Sequence, residues 1–257
     1  MTIARTVQSA ELAGLPLTGE RTVPGIDEEN YWFRRHEVAY RHLLPHCREA
    51  IVLEAGCGEG YGADLVASVA RRVVGLDCDA RTVAHLADRY PSFSGVRADL
   101  AALPLASGSV DVVVNLQVIE HLSDQPLFLA GCARVLRPGG LLLISTPNRI
   151  TFSPGRDTPL NPFHTRELAA DELTELLVEA GFSIEEMLGL HHGPVLRALD
   201  AAHGGSIVDA QVAVAVGGQA WPDRLRADVA SVSAADFDIH PRRVDDSLDL
   251  IAVARLR

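Results

Sequence analysis

The sequence predicts an α/β fold built on a doubly wound parallel sheet, and two observations carry this prediction. Short, nearly all-apolar strands alternate with helical patterns between residues 51 and 146, which is typical of a parallel sheet covered by helices on both faces. The first strand also runs straight into a glycine-rich turn and a helix, in the segment IVLEAGCGEGYG at 51–62. This arrangement is typical of a ligand-binding α/β domain.

The apolar and turn patterns place each element in order along the chain. The predicted strands are 51–55, 72–76, 95–98, 110–115, 140–146, 182–190 and 248–255. The predicted helices are 28–44, 61–70, 80–89, 124–136 and 166–180.

The glycine-rich turn predicts a bound ligand. Gly56, Gly58 and Gly60 alternate after Glu54, which stands at the end of the first strand. Glycines let the backbone turn tightly and leave no Cβ between the chain and a ligand. Amide groups of the turn and of the helix that starts at Tyr61 then point into the crevice. A plain strand-to-helix turn rarely needs three glycines at this spacing.

Asp77 narrows the choice of ligand because it stands at the end of the second strand. A carboxylate there accepts hydrogen bonds from two ribose hydroxyls and repels a ribose phosphate. A nicotinamide cofactor would use the same geometry, so an oxidoreductase stays an alternative that cofactor titration would separate. Against it stand Glu54, Asp99 and the segment DVVVNLQVIEHL at 111–122.

Five ordered motifs resemble class I S-adenosylmethionine (SAM) methyltransferases: E-x-G-C-G-x-G, the strand-end acid, RADL at 97–100, VIEHL, and LRPGG at 136–140. The resemblance covers about Tyr31 to Phe182 and the final strand. Within that superfamily the chain is similar to the quinone and sugar O-methyltransferase group. Residues 20–37 and 145–168 look like mycobacterial methyltransferases linked to polymethylated polysaccharides such as methylglucose lipopolysaccharide.

The resemblance implies a Rossmann-like, seven-stranded sheet whose last strand is antiparallel beside the sixth, and SAM as the cofactor. It implies an aromatic and basic first helix over the cofactor and strand-end residues around it. The implied cofactor-binding residues are Tyr31, His36, Glu54, Gly56, Gly58, Gly60, Asp77, Cys78, Asp99, Leu100, Asn115 and Gln117.

Transfer of a methyl group to an alcohol needs a base that takes the hydroxyl proton. Glu120 and His121 follow the fourth strand and are the first candidates, although His121 could instead make a structural hydrogen bond at the start of helix 124–136. Similar quinone methyltransferases have a Glu/Glu/His magnesium cluster here. Gln117 replaces one of its carboxylates, and an amide is a poorer ligand for Mg²⁺. The metal requirement therefore stays open.

His164 is the third candidate for the base. It lies in the proline-rich loop 147–165, which also carries arginine, aspartate and asparagine side chains suited to a polyhydroxylated ligand. The alternative is that Asn161 and His164 only cap the helix predicted to begin at Arg166.

Composition excludes several classes of function. The net charge of −11 argues against nucleic acid as a partner, since nucleic-acid binding needs a basic surface. No apolar run approaches the ~20 residues of a membrane span, and no secretory signal pattern is present. The four cysteines lack C-x-x-C spacing, so neither a zinc site nor a disulfide framework is predicted. A cytoplasmic protein fits these features.

The chain divides into four predicted segments. Residues 1–45 form an N-terminal segment with a lid helix, 46–190 the SAM-binding core, 191–247 an insertion, and 248–257 the final strand. So long an insertion in a compact domain is usually functional or disordered. We interpret it as a substrate-side lid, with an oligomerisation element, as in a homodimer, as the alternative.

These features together predict a SAM-dependent O-methyltransferase that acts on a sugar or oligosaccharide, in polymethylated polysaccharide biosynthesis. The alternative acceptor is a quinone, a phenol or a lipid. A nucleic acid or protein N-methyltransferase is disfavoured because the (D/N)-P-P-(Y/F) motif is absent after Asn115. A non-catalytic binding module is disfavoured by the presence of Glu54, Asp77 and Asp99.

Overall fold

A computed structural model describes residues 22–257 of the chain. Contacts within it define two compact units. One consists of residues 22–38 and 192–238, and the other of residues 39–191 and 239–257. The second unit contains the glycine-rich turn and all candidate catalytic residues.

Strands and helices alternate through the second unit as the sequence predicts. The strands are β1 Ile51–Ala55, β2 Arg72–Asp77, β3 Ser94–Arg97, β4 Val110–Leu116, β5 Leu136–Pro147, β6 Phe182–His192, β7 Phe237–His240 and β8 Asp249–Leu256. The α-helices are α1 Asn30–Leu43, α2 Tyr61–Ala67, α3 Ala80–Arg89, α4 Gln125–Val135, α5 Arg149–Phe152, α6 Ala170–Glu179, α7 Pro194–Ala202, α8 Ile207–Gly217 and α9 Asp223–Ser231.

One mixed sheet has the strand order β3-β2-β1-β4-β5-β8-β6-β7. Strands β1 to β5 pair in parallel, and β8 is antiparallel to both β5 and β6. The antiparallel last strand is therefore confirmed. The strand order reverses between β1 and β4, and ligands of such sheets bind at that point, beyond the carboxyl ends of the strands. These ends are Ala55 and Leu116.

The prediction of seven strands is wrong, because the insertion contributes β7 at the edge of the sheet. Its sequence, FDIH, is short and buries only Phe237, so it gives little of the apolar pattern that identified the other strands. The rest of the insertion consists mainly of helices α7 to α9. The chain enters and leaves this helical segment at neighbouring points, because the amide of Gly193 donates to the carbonyl of Asp236 at 2.8 Å.

Helix α6 begins at Ala170 and not at the predicted Arg166. The residues before it are held extended, since Leu168 forms a parallel bridge with Asn148 and its carbonyl accepts from the amide of Arg149 at 3.0 Å. The start of α6 is instead satisfied by Glu172, whose carboxylate accepts from the amide of Ala169. The alternative that Asn161 and His164 cap this helix is therefore wrong.

None of the helices within residues 22–257 is long and apolar enough to cross a membrane.

Candidate active site

The glycine-rich turn between β1 and α2 adopts backbone conformations that favour glycine. The φ angles of Gly56, Gly58 and Gly60 are +88°, +52° and +103°. A Cβ at Gly56 would lie 2.7 Å from the Val118 side chain, whereas one at Gly58 would meet no atom within 4 Å. The turn is thus packed at Gly56 and open at Gly58, where a ligand can approach the backbone.

Asp77, at the carboxyl end of β2, is fixed against this turn. One carboxylate oxygen accepts from the amide of Gly58 at 3.0 Å, and the other accepts from the amide of Asp79 at 2.9 Å. Each carboxylate oxygen can accept about two hydrogen bonds. Acceptor capacity therefore remains for the two hydroxyls of a ribose.

The carboxyl end of β3 leads to the other acidic candidate, Asp99. Its side chain is exposed and accepts from the amide of Ala101 at 2.9 Å, at the start of a 3₁₀ turn. The next residue, Leu100, is buried. Cys78 is exposed, and its carbonyl accepts from the guanidinium of Arg97 at 3.0 Å. These positions form the strand-end rim that the sequence predicts for an adenine and ribose.

Two polar side chains are buried at the ends of β1 and β4. The hydroxyl of Tyr40 donates to Oε1 of Glu54 at 2.6 Å, and the amide of Asn115 donates to the carbonyl of Ala55 at 2.8 Å. Oε2 of Glu54 and Oδ1 of Asn115 are buried without a hydrogen-bond partner in the described part of the chain. Buried polar atoms are normally paired, so these two oxygens fit a site whose ligand supplies donors.

Burial raises the pKa of Glu54 to about 8, and the hydrogen bond from Tyr40 only partly offsets this effect. The sequence reasoning did not identify Tyr40 as a partner of Glu54. Its role depends on Gly62, where a Cβ would lie 2.1 Å from the Tyr40 ring. In the sequence, only Gly62, directly after Tyr61, pointed to this close contact with the helix.

The turn after β4 is strained at Gln117, a non-glycine residue with a φ of +57°. The conformation is held by β5, since the amide of Gln117 donates to the carbonyl of Ser145 at 2.9 Å and its side chain reaches the Ser145 hydroxyl at 3.2 Å. Such strain costs on the order of 1 kcal/mol or more and is concentrated at functional sites.

Glu120 lies in the 3₁₀ turn Ile119–His121 and is 1 % exposed. Its Oε2 accepts from the hydroxyl of Thr146 at 3.0 Å. Burial is the main cause that raises the pKa of this carboxyl to about 8. Much of the Glu120 population is therefore neutral at pH 7, which makes it a buried acid rather than an exposed base.

His121 is half-buried beside Glu120, and its Nδ1 lies 3.0 Å from the carbonyl oxygen of Phe163. A carbonyl can only accept, so Nδ1 carries the proton and Nε2 holds the lone pair in the neutral ring. Helix α4 is capped by Asp124, which accepts from the amide of Leu127. His121 does make a structural hydrogen bond, to the carbonyl of Phe163, so a purely structural role for this residue stays an open alternative.

The three candidate bases lie together. One ligand atom each from Glu120, His121 and His164 falls within 4.8 Å of the others, and the two imidazole rings lie 4.9 Å apart in an edge-on arrangement. Backbone bonds hold the two loops in this position, because the amide of Thr165 donates to the carbonyl of Glu120 at 2.7 Å.

This cluster does not fit a magnesium site. His164 is engaged at both nitrogens, with Glu167 at 2.7 Å and Asn161 at 3.0 Å, and Gln117 presents an amide. Mg²⁺ prefers several carboxylate and water oxygens in octahedral geometry, which two imidazoles, an amide and the single buried carboxylate of Glu120 do not supply.

Glu167, which the sequence reasoning missed, is buried against His164, and it also lines a cavity of about 350 Å³. The sequence signal for this contact was the i, i+3 spacing of His164 and Glu167. Charged and hydroxyl side chains dominate the wall of the cavity, which is formed by Arg149, Ser153, Arg156, Asp157, Thr158, Pro159, Thr165, Arg166, Glu167 and Glu172.

Tyr31 and His36 belong to the first unit. Tyr31 is fully buried, and its hydroxyl lies 2.7 Å from Nε2 of His192, whose Nδ1 lies 2.6 Å from Asp200. His36 is half-buried on the same helix. Their predicted contact with the cofactor stays a prediction.

A doubly wound sheet with a glycine-rich turn and an acidic strand end at its switch point is typical of α/β proteins that bind a nucleoside-containing cofactor. Residues 53–144 match the family described as a methyltransferase domain. The chain is 62 % identical over 253 residues, covering 97 % of it and 92 % of the relative, to a protein of Mycobacterium tuberculosis named as a probable S-adenosylmethionine-dependent methyltransferase. The chain therefore belongs to the S-adenosylmethionine-dependent methyltransferases.

Two more distant similarities complete the comparison. Over 160 residues the chain is 31 % identical to a ubiquinone biosynthesis O-methyltransferase of Rhizobium johnstonii, covering 56 % of this chain and 64 % of the relative. A solved SAM-dependent methyltransferase of Mesorhizobium loti has a TM-score of 0.57 at 20 % identity and covers 86 % of this chain and 97 % of its own. The latter shows the fold alone.

Proposed function

We propose that this methyltransferase transfers the methyl group of SAM to a hydroxyl of a sugar or oligosaccharide. The observation that carries the proposal is the polar cavity of about 350 Å³ beside the catalytic candidates. Its hydrogen-bonding side chains suit a ligand with many hydroxyls, whereas a flat quinone or phenol needs apolar and aromatic walls.

The residues for the cofactor are those of the β1 to β3 ends. Gly58 lets the backbone approach the ligand, Asp77 receives the ribose hydroxyls, and Asp99 faces the adenine. Bound SAM supplies a methyl group activated by the sulfonium. The buried oxygens of Glu54 and Asn115, which have no hydrogen-bond partner among residues 22–257, support a ligand at this position.

His121 acts as the base in this proposal. Its ring is partly accessible, and the carbonyl of Phe163 fixes the tautomer with the lone pair on Nε2. A sugar hydroxyl ionises too weakly to react alone at pH 7, and a positioned base contributes roughly 10²–10⁴-fold. His121 takes the hydroxyl proton as the O–CH₃ bond forms and the bond from carbon to sulfur breaks. His164 binds a neighbouring hydroxyl of the acceptor, and Glu120 supports the turn.

A quinone or phenol is the second candidate acceptor. The similarity to the ubiquinone biosynthesis O-methyltransferase favours it, although that similarity leaves much of both chains unmatched. Both candidates share oxygen as the nucleophile. The proposal includes no magnesium ion, because the donor set at the cluster does not suit one.

The biological setting is proposed on the resemblance in residues 20–37 and 145–168. We place the enzyme in the cytoplasm, in the biosynthesis of a polymethylated polysaccharide such as methylglucose lipopolysaccharide. We assign residues 191–247 as a substrate-side lid, with an interface for a homodimer as the alternative.

A screen with SAM labelled in the methyl group tests this function. Oligosaccharides of glucose and of mannose are compared with a catechol and a quinol, and mass spectrometry locates the added methyl group. The Asp77→Ala variant is the control for transfer that depends on the cofactor site. We expect label only on the sugars, and label on the catechol or quinol alone would overturn the proposal.

A further inference from the structure

Glu167 lies three residues after His164, in the extended segment before α6. Its side chain is 1 % exposed, and Oε1 lies 2.7 Å from Nδ1 of the His164 imidazole, which is itself 4 % exposed. Oε2 is buried and has no hydrogen-bond partner among residues 22–257. The only bond that the structure gives this carboxylate is therefore the one to His164.

Asn161 determines which nitrogen of His164 carries the proton. Oδ1 of Asn161 accepts from the amide of Phe163 at 3.0 Å, so its Nδ2 is the atom that faces His164 Nε2 at 3.0 Å. Two N–H groups cannot bond to each other, and Nε2 therefore presents its lone pair. The proton is on Nδ1, where it is donated to Glu167.

We propose that Glu167 is a positioning residue of the acceptor site, which holds His164 in the Nδ1–H tautomer so that Nε2 accepts a hydrogen bond from a second hydroxyl of the acceptor, next to the one that is methylated. The hydroxyl takes the place of the Asn161 amide, which is half-buried at the site. This inference rests on the proposed function. It adds a requirement on the substrate, because Nε2 can bind a hydroxyl that donates but not an ether or ketone oxygen.

The position of Glu167 links this role to the rest of the site. The residue lines the polar cavity together with Thr165, and the imidazole that it holds lies 4.9 Å from the ring of His121. A sugar carries neighbouring hydroxyls, so the hydroxyl that is methylated would give its proton to His121 while the adjacent hydroxyl donates to Nε2 of His164. A carboxylate behind an imidazole fixes tautomer and ring orientation in this manner in other enzymes.

Nitrogen NMR of the histidine side chains tests the tautomer directly and needs no acceptor. Spectra of the full chain labelled with ¹⁵N are recorded, and the His164→Ala variant identifies the His164 signals. We expect Nδ1–H with an unprotonated Nε2 in the wild type. Glu167→Leu leaves Nδ1–H buried without an acceptor, which is costly, so the population should move toward Nε2–H. Glu167→Gln keeps an acceptor oxygen and should keep the tautomer.

Steady-state kinetics gives the second readout, with the oligosaccharide that the screen identifies as an acceptor. Glu167→Leu should raise the KM for the acceptor about tenfold, which corresponds to about 1.4 kcal/mol, and change kcat less than about threefold. Glu167→Gln should restore most of the KM. The exposed Glu175→Gln variant on α6 is the matched control, and SAM affinity should be unchanged in all three.

The Nε2–H tautomer in the wild type would overturn the inference. A Glu167→Leu protein that binds SAM normally and shows a wild-type acceptor KM would also overturn it. If no sugar is methylated, the proposed function fails, and the tautomer measurement still decides the role of Glu167.

Discussion

Replacing Asp77 with alanine should weaken SAM binding about 30-fold. The carboxylate is oriented by the amides of Gly58 and Asp79, at 3.0 and 2.9 Å, so it is in place before the ligand arrives. A hydrogen bond to a charged group contributes roughly 1.5–3 kcal/mol. Both ribose hydroxyls lose their acceptor in the variant. Because the position is half-buried, water can accept some of these hydrogen bonds in place of the carboxylate. A net loss of about 2 kcal/mol gives the 30-fold change.

Isothermal titration calorimetry of SAM with the purified full chain measures this effect. The matched control is Asp88→Ala. It removes an exposed aspartate from α3, the helix that follows β2, and should leave the affinity for SAM unchanged. Thermal unfolding of both variants shows that they are folded. Undiminished SAM binding by folded Asp77→Ala protein would refute the assignment of Asp77 to the ribose.

The remaining predictions concern the base, the insertion and the buried acid. His121→Ala should lower kcat roughly 10²–10⁴-fold at unchanged SAM affinity, whereas His164→Ala should mainly raise the acceptor KM; the reverse pattern in steady-state kinetics would move the base to His164. Replacing residues 195–234 with a short glycine-rich turn should spare SAM binding and abolish acceptor methylation, and a normal rate in that protein would contradict the lid. Because the pKa of Glu54 is raised to about 8, its contribution to stability is present at low pH and is lost as the pH rises from about 4.5 through 8. Urea unfolding without SAM should therefore show a free energy of unfolding that falls over this pH range. The fall should be shallower for Glu54→Gln than for the control variant Glu179→Gln, which changes an exposed residue. Equal slopes would show that Glu54 is not protonated in the fold.

The parallel part of the fold could be predicted because its signals are local. Strand β1 is an apolar run that ends in glycines, and the predicted helix 80–89 has the same bounds as α3, where Asp79 caps the first turn. Strand β7 could not be predicted, because pairing at the sheet edge stabilises it more than its own pattern does. The start of α6 was misplaced for a similar reason, since contact with Asn148 keeps Leu168 extended.

The acids proposed to bind the cofactor were found in the sequence because they follow apolar strand patterns, and the structure places Glu54, Asp77 and Asp99 at or just after strand ends. Their supporting partners did not follow. Tyr40 lies on a helix that precedes β1, and its bond to Glu54 depends on how that helix packs against Gly62. No spacing in the sequence encodes such a contact.

The sheet register explains why the candidate bases Glu120, His121 and His164 lie together. Strands β4 and β5 are parallel neighbours, with Leu116 opposite Ser145, so the chain segments that leave them start side by side at one edge of the sheet. His121 comes shortly after one strand end, and His164 reaches it only through the long loop after the other. The loop returns to the same point because Thr165 and Phe163 bond to the turn that carries Glu120 and His121. The residues proposed as base and as orienting group are therefore held by the same hydrogen bonds. A change in the loop that alters the acceptor pocket should also move the base, so acceptor specificity and rate are coupled in this site.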